Sequence, residues 1–183
     1  MWPAERSLFS RWSSTALVGV GALSMLVFLI GFNHFLDHTN TLEFCISCHE
    51  METTVYKEYL ESPHYKNPSG VRATCPDCHV PKPFWPKMVR KVMALNDIYH
   101  TIKGSVDTPE KFNAKRKEMA ERVWATMVAT DSRECRSCHD LKSMKFEEQR
   151  PRAQTKHPEA IQEGKTCIDC HHGVAHRAPP RDD

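Results

Sequence analysis

The chain has 183 residues, with 25 lysines and arginines, 23 aspartates and glutamates and a formal net charge of +2. That length allows one domain with an appendage, and the near-neutral charge argues against a nucleic-acid binder. Eight cysteines and 11 histidines are unusually many, whereas mean hydropathy is −0.55. Such a hydrophilic chain has too little aliphatic mass for a conventional core, which argues against an ordinary soluble enzyme.

The first predicted element is a transmembrane anchor over residues 13–35. Residues 15–32 form an uncharged apolar run, and with its flanks the segment reaches the roughly 20 residues that a helix needs to cross a bilayer. A cleaved signal peptide would have a shorter apolar region, followed by a small-residue cleavage site. Residues 33–38 contain no such site, so we expect an uncleaved anchor.

The basic residues around this segment predict its orientation. Arg6 and Arg11 precede it, and no lysine or arginine follows before Lys57. The positive-inside rule then leaves residues 1–12 in the cytoplasm and residues 36–183 on the other side of the membrane. We therefore expect a single-pass protein whose main domain faces outward.

The outward part repeats Cys-x-x-Cys-His four times. This motif attaches c-type haem: the two thiols form thioethers with the porphyrin, and the histidine ligates the iron. The repeats use every cysteine of the chain, namely Cys45, Cys48, Cys75, Cys78, Cys135, Cys138, Cys167 and Cys170. The motif histidines are His49, His79, His139 and His171. Four copies predict four covalently bound haem c groups in the periplasm, on the outer face of a bacterial inner membrane.

Zinc and disulfides are the alternative uses of paired cysteines. A structural zinc site needs no histidine after each pair, and two-residue disulfide loops repeated four times would stabilise a fold poorly. About 40 residues per haem suffice only to wrap the macrocycles. We therefore predict a mainly α fold: one transmembrane helix plus a haem-packed multihaem cytochrome c domain with little regular secondary structure.

The haem domain divides into two diheme modules, at about residues 45–100 and 130–177. The cysteine pairs begin 30 residues apart in the first module and 32 apart in the second, and each interval contains a histidine, His64 or His157. This repeat indicates duplication of one two-haem unit. The inserted histidines are candidates for second axial ligands of iron.

An amphipathic stretch, residues 84–99, follows the second motif. Aromatic residues lie at both of its ends, and Lys87, Arg90 and Lys91 lie on its polar side. Such a helix either lies at the membrane surface or packs on haem with its charged face in water. The sequence leaves both alternatives open.

A second helix is predicted over residues 109–128. Thr108 can cap it, and Pro109 suits its first position. Its apolar residues recur at helical spacing, so we expect them to pack on a haem or on the other module.

A low-spin relay haem needs a second axial ligand, and seven histidines lie outside the motifs. They are His34, His38, His64, His100, His157, His172 and His176. The repeat favours His64 and His157, and His176 can turn back onto another haem. Met51, two residues after His49, has no equivalent in the other motifs, so it either ligates the first haem or packs on it.

The assembled pattern resembles the NapC/NirT/NrfH family of membrane-anchored tetrahaem quinol dehydrogenases. The resemblance covers nearly the whole chain. It includes Cys-His-Glu-Met at 48–51, Cys-Pro-Asp-Cys-His-Val-Pro at 75–81 and Cys-His-His-Gly-Val-Ala-His at 170–176. Residues 62–73 look most similar to the NapC-like branch.

This resemblance implies axial ligands for the haems. The implied sets are His79 with His176 on the second haem, His139 with His157 on the third and His171 with His64 on the fourth. Either His49 or Met51 serves the first haem. Arg90 stands where another branch has a lysine ligand for the third haem, so Lys91 and His100 remain alternatives to His157 there.

The resemblance also implies the function. The protein is expected to oxidise menaquinol or ubiquinol from the lipid bilayer and to pass the electrons to a periplasmic reductase, of the nitrate or nitrite reductase type. Asp97 is the candidate proton acceptor, and Lys91, or less favourably Arg90, would stabilise negative charge on the quinol. The alternatives are a passive electron relay without a quinol site and an enzyme that reduces a small molecule at an open iron.

Overall fold

The structure is a computed structural model that describes residues 13–179. It contains two compact units, divided after Asn40. The prediction of a cytoplasmic segment at residues 1–12 lies outside the described residues. The described part is helical and has no β-strand, as the predicted mainly α fold requires.

The first unit is built around helix α1, Ser14–His38. Ser13 begins it as the N-cap, because its hydroxyl accepts a hydrogen bond from the backbone N–H of Ala16 at 3.3 Å. The helix has 25 residues and is therefore about 37 Å long, enough to cross a hydrocarbon core of about 30 Å. Its composition and length are those of a membrane span. The predicted anchor is thus confirmed as one continuous helix, and it ends three residues later than expected.

The second unit contains mostly short helices. They are α2 (Leu42–Ile46), α3 (His49–Met51), a π-helical turn (Glu52–Tyr56), α4 (Lys57–Tyr59), α5 (Cys75–His79), α6 (Phe84–Ile102), α7 (Pro109–Ala129), α8 (Arg133–Arg136), a 3₁₀ turn (Phe146–Glu148), α9 (Pro151–Gln162) and a 3₁₀ turn (Cys167–Asp169). Only α6, α7 and α9 exceed ten residues. Because α3, the π-helical turn and α4 follow one another directly, they continue the chain from the first motif as one helical stretch.

Few side chains of this unit are buried. Among its described residues, the buried apolar side chains are those of Tyr59, Val106, Phe112 and Ile168. A protein core of four side chains cannot hold a domain of this size by hydrophobic burial alone. The composition of the interior therefore fits a domain that packs around macrocycles.

Helix α7 begins and ends close to the prediction. The hydroxyl of Thr108 accepts a hydrogen bond from the backbone N–H of Lys111 at 3.3 Å, and Pro109 is the first helical residue. Phe112 is buried on its inner side. The helix contacts both the π-helical turn of the first module and the 3₁₀ turn of the fourth motif, so it joins the two modules.

Helix α6 has an unexpected orientation. Its charged residues Arg90 and Lys91 are only half exposed, whereas its apolar side chains face outward. Those that are more than half exposed are Phe84, Trp85, Val89, Val92, Met93, Leu95, Ile98, Tyr99 and Ile102. The apolar side chains of α6 are thus more exposed than Arg90 and Lys91. We call these nine side chains the apolar face of α6.

Candidate functional site

The local structure of the motifs repeats from module to module. In the second motif the backbone N–H of Thr74 donates to the carboxylate of Asp77 at 2.8 Å, and in the fourth that of Thr166 donates to Asp169 at 2.7 Å. These capping boxes place both cysteines of a pair on one helical turn.

The first motif of each module uses a serine at the position of that aspartate. The hydroxyl of Ser47 donates to the carbonyl of Phe44 at 2.7 Å, and that of Ser137 donates to the carbonyl of Glu134 at the same distance. The two kinds of turn therefore alternate along the chain. This alternation is what duplication of a two-haem unit would produce.

The cysteines do not form the alternative sites considered for them. All eight have free thiols, and in residues 13–179 no three or more cysteine, histidine or acidic side chains converge on a point that could hold a metal. Burial, the largest cause, raises the pKa of the Cys78 thiol to about 11. Thiols in such apolar surroundings fit attachment to a porphyrin edge better than a zinc cluster, which requires thiolates.

Three of the motif histidines lie opposite a histidine from elsewhere in the chain. The ring centroids are 6.2 Å apart in His79–His176, 6.2 Å apart in His64–His139 and 6.0 Å apart in His157–His171. Two imidazoles that bind one metal from opposite sides, with metal–nitrogen distances of about 2 Å, have centroids about 6 Å apart. Each pair is therefore spaced as the two axial ligands of one iron would be.

Two of these pairs differ from those that the resemblance implies. His64 lies opposite His139 of the third motif instead of His171 of the fourth, and His157 lies opposite His171 instead of His139. His157 stays within its own module in either case, and α9, which carries it, packs on the 3₁₀ turn Phe146–Glu148. The His79–His176 pair is as expected.

Hydrogen bonds orient the inserted histidines. The Nδ1 atom of His64 lies 3.1 Å from the carbonyl oxygen of Val174, and that of His157 lies 2.6 Å from the side-chain oxygen of Gln149. A ring whose Nδ1–H donates to an acceptor keeps Nε2 for a metal. Both rings are therefore held in the tautomer that a ligand needs.

Burial keeps the two imidazoles of the His79–His176 pair neutral. Burial lowers the pKa of His79 to about 4, with smaller effects from the nearby charges of His176 and Arg90. Burial also lowers the pKa of His176 below its ordinary value. Neutral imidazole is the form that binds iron, so both side chains are ready to ligate at neutral pH.

The first motif differs from the other three. Among the described residues, the ring of His49 stacks with no second imidazole at the spacing of the three pairs. Met51 ends α3, directly before the π-helical turn. Turns of this kind inside helices occur frequently at functional sites. The first haem site is thus the unusual one, as the position of Met51 in the sequence indicated.

The alternatives for the third haem do not lie beside its motif. The ring of His100 contacts Tyr99, and its Nδ1 atom lies 2.7 Å from the hydroxyl of Ser105. Lys91 lies near the first motif. Its positive charge and that of Arg90 contribute to a pKa of about 7 for the Cys45 thiol, behind the larger effect of a hydrogen bond with Cys75.

The three candidate quinol residues lie on α6, and two of them form an ion pair. The guanidinium of Arg90 donates to the carboxylate of Asp97 at 3.0 Å, so the residue judged least favourable is the direct partner of the proposed proton acceptor. Burial lowers the pKa of Lys91. The group therefore consists of an Arg90–Asp97 ion pair and a half-buried lysine beside Cys45.

Buried polar atoms near the second motif fit a haem. The hydroxyls of Tyr59 and Ser62 are buried and have no hydrogen-bond partner among the described residues. Two such donors suit the propionate carboxylates of a haem, because buried polar groups are nearly always paired. A cleft of about 430 Å³ is lined by residues of the second and third motifs. Its two arginines are ion-paired, Arg133 with Glu134 at 2.7 Å and Arg136 with Asp131 at 2.8 Å.

Sequence reasoning missed two connections that cross the unit. Ser132 is fully buried, and its hydroxyl accepts a hydrogen bond from the backbone N–H of Ile168 at 3.1 Å. Glu58 and Arg116 form a bidentate ion pair with both distances 2.9 Å. No local pattern marks either contact, because the partners lie 36 and 58 residues apart.

Four attachment motifs and three imidazole pairs around a small protein core define a membrane-anchored multihaem c-type cytochrome. The family described as "NapC/NirT cytochrome c family, N-terminal region" matches residues 8–181. The chain belongs to this family.

Its relatives cover almost all of the chain. The chain is 50% identical over 170 residues to the cytochrome c-type protein NapC of Escherichia coli K12, and 52% identical over 170 residues to the denitrification system component NirT of Stutzerimonas stutzeri. Each match covers 93% of this chain and 85% of the relative. A protein of Allochromatium vinosum described as a tetraheme cytochrome c type is 51% identical, covering 94% of this chain and 93% of the relative. No solved structure matches.

Proposed function

We propose that this protein oxidises quinol from the membrane and relays the electrons through four c-type haems to a periplasmic reductase. The observation that carries the proposal is the unusual first motif. Among the described residues its histidine has no second imidazole at ligand spacing, and Lys91 of α6 lies close enough for its charge to act on Cys45. A passive relay would have no use for a distinct first haem next to a helix with an exposed apolar face.

The chain's own residues hold the cofactors as follows. The eight motif cysteines attach four haem c groups, and the three imidazole pairs ligate the second, third and fourth irons. His49 or Met51 ligates the first. When bound, each haem supplies a site that accepts and donates one electron at a time, and the ligand pairs keep three of them closed to other molecules.

The quinol site lies along the charged residues of α6. Lys91 offers a cation beside the first motif, and the Arg90–Asp97 pair lies on the same helix toward the second motif, close enough for both charges to act on His79. A carboxylate held by an arginine can accept a proton from a quinol hydroxyl, and the nearby cations stabilise the negative charge that develops.

The apolar face of α6 rests in the membrane interface. Nine apolar side chains, including Trp85 and Tyr99 at opposite ends, are more than half exposed. An exposed apolar area of this extent marks a contact surface, and aromatic residues at both ends are typical of helices at the headgroup level. Since the chain carries a membrane span, the bilayer is the partner that this face fits. Quinol would reach the first haem from this surface.

The haem unit faces the periplasm, and the electron acceptor is a reductase of the nitrate type. The orientation is supported by Arg6 and Arg11, which precede the anchor, and by the absence of lysine and arginine after it until Lys57. The acceptor is supported by the relatedness to NapC and to a component of a denitrification system.

The test is an anaerobic visible spectrum of the full-length protein in detergent, before and after addition of a menaquinol or ubiquinol analogue. We expect the haem bands to shift to the reduced form. Bands that stay oxidised with every quinol, yet shift with dithionite, would establish a passive relay.

The role of α6 is tested in the same assay with lipid vesicles. Val92→Glu should slow reduction by quinol and leave reduction by dithionite unchanged. The matched control is Val128→Glu, which places the same charge on an exposed apolar position of α7. Equal quinol rates in all three proteins would contradict the interfacial position of the helix.

A further inference from the structure

A largely buried ion pair lies next to the segment that carries His176. Both nitrogens of the Arg116 fork donate to the carboxylate of Glu58 at 2.9 Å. The two side chains are only 14% and 16% exposed. Bidentate pairs of this type fix geometry as well as energy. The pair joins α4 to α7 and thus connects two parts of the chain that are far apart in sequence.

The same pair binds both backbone polar groups of Arg177. The backbone N–H of Arg177 donates to Glu58 at 2.8 Å, and its carbonyl oxygen accepts from Arg116 at 3.0 Å. Arg177 directly follows His176. Two hydrogen bonds to the backbone of this one residue therefore fix the position from which the His176 ring extends.

The other contacts of this segment are also made by side chains: the Nδ1 atom of His64 lies 3.1 Å from the carbonyl oxygen of Val174, and the ring of Trp124 lies 4.1 Å from that of His172. Among residues 13–179, no backbone–backbone hydrogen bond involves residues 172–179. The turn begins at Gly173, whose φ of +69° suits glycine, and this gives the segment its direction but no anchor. Side chains must therefore keep the segment in place.

We propose that Glu58 and Arg116 are positioning residues that hold His176 on the iron of the second haem. The proposal rests on the proposed ligation of that haem by His79 and His176. Outer-shell partners of a metal ligand set its orientation, and removing one member of a buried pair leaves the other charge without compensation. Loss of either residue should therefore release the peptide unit after His176 and open one position on the second iron.

Binding of carbon monoxide to the reduced full-length protein tests this proposal, since it counts the irons with an open position. His176→Ala is the reference and should add one reactive haem per protein to the wild-type number. Glu58→Ala and Arg116→Ala should each also increase the number of reactive haems, by at most one per protein. Glu148→Ala is the control, because Glu148 forms an ion pair of the same length with Lys145 but is 67% exposed; it should match the wild type. Mass spectrometry confirms that each protein carries four haems.

The outcomes distinguish the assignment of His176 as a ligand from the positioning role of Glu58 and Arg116. If His176→Ala adds no reactive haem, the ligand assignment fails and the positioning role fails with it. If His176→Ala adds one but the Glu58 and Arg116 variants add none, the ligand stands and the positioning role is wrong. Should the alanine variants not accumulate with four haems, Glu58→Gln and Arg116→Lys replace them. Carbon monoxide binding by these milder variants at the wild-type extent and rate would also overturn the proposal.

Discussion

The two modules repeat one sequence plan but place their inserted histidines differently. The ring centroid of His157 in the second module lies 6.0 Å from that of His171 in the same module. The ring centroid of His64 in the first module lies 6.2 Å from that of His139 in the second. The comparison teaches that a repeated sequence motif determines the local turn, but does not determine which distant imidazole each inserted histidine pairs with. Because His64 of the first module pairs with His139 of the second, the second module depends on the first for this imidazole.

The second module also has an internal connection at a position where the first has an apolar residue. Ser132, three residues before Cys135, is fully buried and binds the Thr166 hydroxyl and the Ile168 backbone. The residue three positions before Cys45 is Leu42, which has no hydroxyl. Ser132 has a φ of 46°, which costs a non-glycine residue about 1–2 kcal/mol, so its hydrogen bonds must offset this strain.

The largest expected effect on stability is that of Ser132→Ala. The substitution leaves a buried N–H and a buried hydroxyl without their partner, which costs about 1–3 kcal/mol. We expect the free energy of unfolding in guanidinium to fall by that amount, with all four haems retained. Leu42→Ala in the first module is the comparison, and a larger loss there would contradict the special role of Ser132.

A second prediction concerns how each inserted histidine is held. His157 is oriented by the Gln149 side chain and His64 by a backbone carbonyl, so only the first contact can be removed by substitution. Gln149→Leu should weaken axial binding of His157 about 10–100-fold, the usual effect of losing an outer-shell partner. The change would appear as a new high-spin signal in electron paramagnetic resonance. Gln162→Leu, at the end of the same helix as His157, should leave the spectrum unchanged.

The smallest expected effects distinguish the two kinds of motif turn. Asp77→Ala or Asp169→Ala removes a capping box, at a cost of about 1 kcal/mol. Ser47→Ala or Ser137→Ala removes one hydrogen bond to a carbonyl and should cost less, about 0.5 kcal/mol. The decreases in thermal unfolding temperature of the four variants should therefore fall into two groups. The larger decreases belong to the second motif of each module and the smaller ones to the first. Four equal shifts would contradict the alternation.

The sequence predicted those features that depend on nearby residues. The anchor followed from an uncharged run, α7 from Thr108 and Pro109, and the haem sites from motifs of five residues. The sequence did not predict which side of α6 faces out, since amphipathic periodicity gives two faces without saying which one meets the domain. Nor could it predict the partner of His64 or the Glu58–Arg116 pair, because such contacts depend on how distant segments pack.

The pairing of His64 with the third motif is tested most directly by the double variant His64→Ala with His171→Ala. In the arrangement described above, these residues serve different irons, so the reduced protein should gain two haems that bind carbon monoxide. If His64 and His171 instead ligate the same iron, the variant would gain only one reactive haem, and the assignment of His64 to the iron of the third motif would be wrong.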